Sequence, residues 1–205
     1  MKRRMAADGR REYILQGAME TFAQKGFRGT TTREIAQRLG ISEALIFKYF
    51  PSKGALYRAI FQKKTEGSEE KLFFEEAIQG KDDRQVFQSL AHHLLRKNTE
   101  DPTFMRLVLY GGLEGHDLFR IFFEANLMEK TRLLSGYIRQ RIKEKTFEKV
   151  PPLLAAQAFI GMVMDYVYFQ EIYGLKNLSH FSEKKVVNTF VDSFLDGLKG
   201  NAQHL

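Results

Sequence analysis

Residues 30–53, TTTREIAQRLGISEALIFKYFPSK, place two short helical patterns on either side of one glycine, and this segment constrains the fold more than any other. Ile35 and Leu39 are four residues apart before the glycine, and Ile46 and Phe50 are four residues apart after it. Such spacing puts each pair on one face of a helix. Two short helices joined by a tight glycine turn are typical of a helix-turn-helix, whose second helix can enter the major groove of DNA.

Positive charge is concentrated around this segment. The net charge is +7, but the first 64 residues hold 14 Lys and Arg against 5 Asp and Glu, whereas the others hold 18 against 20. A basic head on a near-neutral body indicates a polyanionic partner such as DNA, with an ordinary solvated basic face as the alternative. The first eleven residues predict either an arm on the DNA backbone or minor groove, or a frayed end. Their basic residues are Lys2, Arg3, Arg4, Arg10 and Arg11.

The rest of the chain shows the same helical spacing, with few prolines and no strand-like alternation. We therefore predict an all-α fold of about nine helices, with a three-helix head on a larger helical body. The predicted domains are a helix-turn-helix DNA-binding domain at 1–51 and a ligand-binding and dimerisation domain at 52–205. The predicted helices cover 10–25, 32–39, 42–50, 52–77, 83–98, a segment from 102 that the glycines of YGGLEGHD interrupt, 117–145, a segment from 152, and 182–197.

Several classes of protein are disfavoured by what the sequence lacks. There is no Cys, no HExxH, no P-loop and no GxSxG, and His92 and His93 fall on adjacent helix positions that do not suit joint metal ligation. We therefore expect no enzymatic activity, no metal and no cofactor. The basic N-terminus lacks the apolar run of a signal peptide, which favours a cytoplasmic protein. An architectural DNA-binding protein without an effector is the alternative to a ligand-responsive regulator.

The helix-turn-helix segment also resembles a known family. T-T-R-E-I-A-x-R-L followed by G-I-S-x-x-x-x-F-x-Y-F-x-S-K is similar to the N-terminal signature of tetracycline-repressor-type (TetR family) transcription regulators. The resemblance covers roughly residues 10–60, where glycines, hydroxyls, aromatics and the lysine keep the family's spacing. It implies a homodimeric repressor whose variable C-terminal domain binds a small inducer.

The resemblance implies phosphate contacts at Thr31, Phe47, Tyr49 and Lys53, and base contacts that include Arg33. Phe47 stands where the family usually has tyrosine, so it either contacts DNA without a hydroxyl or packs in the core. Tyr49 stands where histidine is common and can supply the lost donor.

The residues themselves point to the same surface. Helix N-termini attract phosphate, and arginine suits a bidentate contact to guanine, which favours Arg33. Glu43 either accepts a hydrogen bond from cytosine or repels phosphate. The complete set of predicted DNA-contact residues is Thr31, Thr32, Arg33, Ser42, Glu43, Ala44, Leu45, Phe47, Lys48, Tyr49 and Lys53.

Residues 153–169 are apolar on every side except at Gln157 and Asp165. The length suits a membrane span, but the central aspartate and the absence of a second such segment favour a soluble helix that is covered on more than one face. We predict that this helix and the last one form a dimer interface, which would set two recognition helices about 34–36 Å apart on a palindromic operator. The predicted interface residues are Phe159, Val187, Phe190, Val191, Phe194 and Leu198.

Aromatic residues crowd the middle of the chain, and most belong in a core. A few polar groups among them predict an apolar pocket for a hydrophobic or aromatic effector. Asp165 is the most suggestive, because a buried carboxylate must pair with a cation such as Arg106 or Arg120, be protonated, or face a ligand. The predicted pocket residues are Arg106, Tyr110, His116, Phe122, Phe123, Asn126, Met162, Asp165, Tyr166 and Phe169.

Overall fold

The computed structural model describes residues 7–65, 71–176 and 181–199. Within them it contains eleven α-helices, one π-helical segment and no strand, so the predicted all-α fold is confirmed. The helices are α1 (Ala7–Lys25), α2 (Thr32–Leu39), α3 (Glu43–Tyr49), α4 (Lys53–Thr65), α5 (Lys71–Gly80), α6 (Asp83–Glu100), α7 (Pro102–Leu113), α8 (Asp117–Phe123), α9 (Glu129–Lys143), α10 (Pro152–Glu171) and α11 (Glu183–Lys199). The π-helical segment, Glu124–Met128, lies between α8 and α9.

Two predicted helices account for the difference between nine and eleven. The helix predicted over 52–77 is described as α4 and α5, and residues 66–70 between them lie outside the description. The helix predicted over 117–145 is divided by the π-helical segment, whose wider hydrogen-bonding pattern no hydrophobic spacing signals. The predicted interruption by glycines is also wrong in part, because α7 runs through Gly111 and Gly112 and only Gly115, with φ +64°, lies in the break.

The chain divides into two compact units, Met1–Ser68 with Thr103–Phe123, and Glu69–Pro102 with Glu124–Leu205. In the first unit, α1, α2, α3 and α4 pack around fully buried Ile14, Phe22, Ile35 and Ile46, and Phe104 and Leu107 of α7 extend this core. The predicted apolar faces of the helix-turn-helix therefore point inward. The functional boundary predicted at residue 51 remains a prediction.

The second unit is built on α6, α9, α10 and α11. Phe87 of α6 lies 4.8 Å from Phe159 and 5.4 Å from Phe194, measured between ring centroids. A polar cluster joins the same helices, because buried Asp83 accepts hydrogen bonds from Tyr137 (2.6 Å) and Arg141 (2.7 Å). Burial and the bond to Asp83 raise the pKa of Tyr137.

The predicted dimer stripe is wrong in part, because much of it forms the core of this second unit. Phe159, Val187 and Val191 are fully buried and Leu198 is 4% exposed, while Phe190 and Phe194 are half-buried. A side chain with no accessible surface in one chain has none to offer to a partner. A hydrophobic stripe shows that a face is covered, but it does not show by which neighbour.

Helix α10 is long and apolar enough to cross a membrane by length and composition, and 33% of its most apolar window is buried. Its inward side carries Phe159, Val163 and Val167. Its outward side carries Leu154, which is 63% exposed, and Asp165, which is also exposed. The inference of a buried Asp165 carboxylate is therefore wrong, because the position falls on the solvent side of a helix that is covered on one side only.

Candidate nucleic-acid interface

The turn of the helix-turn-helix is fixed by backbone hydrogen bonds at the end of α2. Gly40 has φ +63° and ψ +36°, the left-handed conformation that glycine adopts without strain. The Gly40 N–H donates to Gln37 O at 3.1 Å and the Ile41 N–H donates to Ala36 O at 3.0 Å. These bonds satisfy the last carbonyls of α2 and turn the chain into α3. Ser42 then caps α3 by accepting a hydrogen bond from the Leu45 N–H at 3.2 Å, as predicted.

The three threonines before α2 have three different roles. Buried Thr30 donates its hydroxyl hydrogen to Gly26 O at 2.7 Å. Thr31 is the N-cap of α2, where its hydroxyl accepts from the Glu34 N–H at 3.1 Å and the Glu34 carboxylate accepts from the Thr31 N–H at 2.9 Å. Thr32 is buried and donates to Glu43 Oε1 at 2.5 Å. Of the three, only Thr31 is exposed.

The Glu34 carboxylate is stabilised in its charged form. Lys25 Nζ lies 2.7 Å from Glu34 Oε1, and both Thr31 groups bind Glu34 Oε2. The hydrogen bond from Lys25, followed by those from Thr31, lowers the pKa of Glu34 from 4.5 to about 2. The capping box is therefore complete at any pH at which DNA is bound.

Two predicted contact residues are engaged within the protein. The hydrogen bond between Thr32 and Glu43 joins the start of α2 to the start of α3, and it gives Glu43 a partner that neither sequence-based alternative considered. Thr32, with 9% of its surface exposed, has little left to offer to phosphate.

Lys53 is also turned toward the protein. Its ammonium group donates to Phe27 O and to Thr30 O, both at 2.9 Å, and lies 4.3 Å from the centroid of the Phe27 ring. Two of its three N–H donors are used in this way. Lys53 therefore holds the turn between α1 and α2, and the phosphate contact expected of it remains a prediction.

The other predicted residues lie on the outer surface of the two helices. Arg33, Ser42, Ala44, Phe47 and Lys48 are exposed. Phe47 is 44% exposed, so the core-packing alternative for it is wrong. Leu45 and Tyr49 are half-buried, and Tyr49 packs partly against the core of the first unit.

Glu114 is a functional candidate that the sequence did not reveal. From the turn between α7 and α8, its carboxylate accepts the Phe27 N–H at 3.0 Å and the Arg28 N–H at 3.1 Å. Lys53 thus binds carbonyls of the α1–α2 turn while Glu114 binds its N–H groups. Gly26 has φ +74°, and a Cβ there would lie 2.3 Å from Glu114 Oε1, so only glycine fits. The partners are 86 and 87 residues apart, and no local pattern signals such a pair.

Two predicted pocket residues support the same turn. The Tyr110 hydroxyl donates to Gln24 O at 3.1 Å. The His116 ring lies 4.6 Å from the Phe27 ring and 4.9 Å from the Tyr57 ring, measured between centroids, and burial lowers the pKa of His116. Both side chains therefore act within the DNA-binding unit, which is a different role from the one that was predicted.

The remaining pocket predictions are divided between the two units. Phe122 packs 5.3 Å from Phe61 and Phe123 packs 5.4 Å from Phe119 in the first unit, where Arg106 is exposed. In the second unit the half-buried candidates are Asn126, Met162, Tyr166 and Phe169. No cluster of His, Asp or Glu that could hold a metal ion occurs among the described residues. Of the predicted N-terminal arm, Arg10 and Arg11 belong to α1, and Lys2, Arg3 and Arg4 lie outside the described residues.

Comparison with known families matches both parts of the chain. Residues 14–60 match the model of bacterial regulatory proteins of the tetR family. Residues 84–197, more than half of the chain, match the C-terminal domain of AefR-like transcriptional repressors.

Individual proteins show the same likeness. The transcriptional regulator RutR of Escherichia coli K12 is 42% identical over 62 residues, which is 30% of this chain and 29% of RutR. The structure of the TetR family regulator PfmR of Thermus thermophilus superimposes with a TM-score of 0.69 at 22% identity, covering 91% of this chain and 99% of PfmR. The structure of AibR in complex with isovaleryl coenzyme A and operator DNA superimposes with a TM-score of 0.64 at 20% identity, covering 90% of this chain and 97% of AibR.

Proposed function

We propose, because the chain belongs to the TetR family of bacterial transcriptional regulators, that it is a homodimeric repressor released from a palindromic operator by a hydrophobic or aromatic effector. The observation that carries the proposal is the outer surface of α2 and α3, where Arg33, Ala44, Phe47 and Lys48 are exposed on a helix-turn-helix whose turn and caps are fully formed. The protein acts by binding rather than by catalysis, and it acts in the cytoplasm, where the DNA is.

The DNA contacts proposed for this surface follow from its exposure and charge. Arg33, at the first turn of α2, reads a guanine or binds phosphate. Lys48 projects from the outer side of α3 and binds phosphate. Thr31 and Tyr49 contact the backbone. Thr32, Glu43 and Lys53 position these groups through the hydrogen bonds that they make inside the protein.

A second copy of the chain is proposed to pack on the outward side of α10. Leu154, Ala158 and Gly161 are all exposed there at three- and four-residue spacing. The small residues let a partner helix approach closely, and leucine supplies apolar area to bury. This face replaces the buried stripe as the proposed dimer contact.

The effector is proposed to bind in the second unit. Met162, Tyr166 and Phe169 are half-buried on α10, and Asn126 lies in the π-helical segment, a type of distortion that is frequent at functional sites. A hydrophobic acyl or aromatic compound suits such residues. The binding of isovaleryl coenzyme A by AibR supports an acyl compound as the first to test.

The experiment that tests the proposal is fluorescence-anisotropy binding of the full chain to the DNA upstream of its own gene and to a scrambled duplex, across a salt series. Tight binding of one dimer to one palindrome, weakened by acyl coenzyme A compounds of increasing chain length, is expected. Equal and steeply salt-dependent binding to both duplexes would contradict it and favour an architectural DNA-binding protein.

A further inference from the structure

The outer face of α3 carries an unusual set of side chains for a helix that is proposed to read bases. Its seven residues, EALIFKY, contain no Arg, Asn or Gln, which are the side chains that read guanine or adenine by paired hydrogen bonds. Lys48 is the single cation among them. Hydrogen bonding therefore gives this helix little ability to distinguish base pairs.

Glu43 is the side chain of α3 that would suit cytosine, because a carboxylate accepts from the cytosine amino group. Its Oε1 atom accepts the Thr32 hydroxyl at 2.5 Å, and the side chain is half-buried. The carboxylate is thus held against the start of α2.

Ala44 and Phe47 form an apolar edge on the exposed side of α3. They are three residues apart, so they lie on the same side of the helix and about 4.5 Å apart along its axis. Ala44 is exposed, and 44% of the Phe47 surface is accessible. The buried residues Ile46 and Phe50 lie on the opposite side and fix the orientation of this edge.

We propose that Ala44 and Phe47 determine sequence specificity by contacting the 5-methyl groups of thymines in each half of the operator. The thymine methyl is the apolar group that the major groove presents, and alanine and phenylalanine side chains are suited to contact it. An exposed phenylalanine gains from DNA binding when its ring leaves water, and a methyl group supplies the matching surface. This inference rests on the proposed function, because it requires that α3 enter the major groove.

The test replaces thymine by deoxyuridine, which removes the methyl group and leaves every hydrogen-bonding group of the base in place. The probe is the duplex that the full chain recovers from a random-sequence library. Each thymine of one half-site is replaced singly, on either strand, and affinity is measured by anisotropy. For at least one thymine we expect a loss of about fourfold per half-site, which corresponds to one methyl group left unburied.

The variant Phe47→Ala makes the assignment specific to this residue. Its affinity for the unmodified duplex should fall, and its affinity should no longer depend on the methyl group that the ring contacts. Lys48→Ala is the matched control on the same helix, and it should keep the full deoxyuridine effect. Thermal unfolding of both variants should match that of the parent chain, because both side chains are exposed.

Two results would overturn the inference in distinguishable ways. Selective binding to one recovered sequence with no deoxyuridine effect would show that Phe47 contacts sugar or phosphate and would leave the proposed function intact. Recovery of no preferred sequence would remove the proposed function together with the inference.

Discussion

At the scale of single residues, the two lysines near the recognition helix have opposite surroundings. Lys48 is exposed, whereas Lys53 donates to two carbonyl groups of the α1–α2 turn. We expect Lys48→Ala to flatten the dependence of log affinity on log salt by about 0.9 per lost phosphate contact, with the free energy of unfolding changed by less than about 0.5 kcal/mol. Salt titration of DNA binding together with urea unfolding measures both quantities.

Lys53→Ala should give the reverse pattern. It leaves two carbonyl groups without their donor and removes the cation from the Phe27 ring, which should lower the free energy of unfolding by about 1–3 kcal/mol. If Lys53→Ala instead flattened the salt dependence without loss of stability, the phosphate contact expected from the family resemblance would be right.

The capping box gives a prediction about pH. The carboxyl group of Glu34 has its pKa lowered to about 2, so it stabilises the folded head fully above the unfolded value of 4.5, and this contribution is lost as the pH falls from 4.5 toward 2. An NMR titration of the Glu34 side chain should find a midpoint near 2. The variant Lys25→Met should shift that midpoint upward, because it removes the largest cause of the depression, and a midpoint that stayed near 4.5 in the parent chain would contradict the ion pair.

At the scale of helices and turns, the α1–α2 turn is held by Lys53 on its carbonyl side and by Glu114 on its N–H side. Because α2 begins directly after this turn, we expect Glu114→Ala to weaken operator binding more than binding to unrelated DNA. The lost hydrogen bonds should also cost about 1–3 kcal/mol in the free energy of unfolding.

Glu124→Ala is the control for the loss of one negative charge, because Glu124 is an exposed carboxylate of the π-helical segment. It should change neither quantity. Equal weakening of operator and unrelated DNA by Glu114→Ala would show that the turn does not orient α2.

Local signals were sufficient to predict α2 and its surroundings from the sequence. The bounds of α2, the Ser42 cap and the inward faces of both helices depend on residues within about four positions of one another, and all are confirmed. The Lys53 and Glu114 contacts join residues that are at least 23 positions apart, so hydrophobic spacing carries no trace of them. The same limit explains the misassigned stripe of α11, whose partners in α6 are about a hundred residues earlier.

At the scale of the whole molecule, self-association should depend on the outward face of α10. Gly161→Glu places a charge on that face without touching the buried side, where Phe159 and Val163 lie. We expect it to shift the protein toward the monomer in sedimentation velocity and to weaken operator binding, because a monomer holds one half-site only.

Arg139→Glu is the control for added negative charge on an exposed helix position, since Arg139 lies on the outer side of α9. It should leave the sedimentation coefficient unchanged. If Gly161→Glu remained as associated as the parent chain, the second copy would pack elsewhere.

The contact between Gly26 and Glu114 also has a genetic consequence. In a collection of random variants selected for lost repression, Gly26 should be substituted often, because any side chain there meets the Glu114 carboxylate. Revertants that restore repression in a Gly26→Ala strain should then carry second changes at codon 114, where a shorter residue makes room. Two codons that lie far apart in the gene should therefore behave as one site in a suppressor screen.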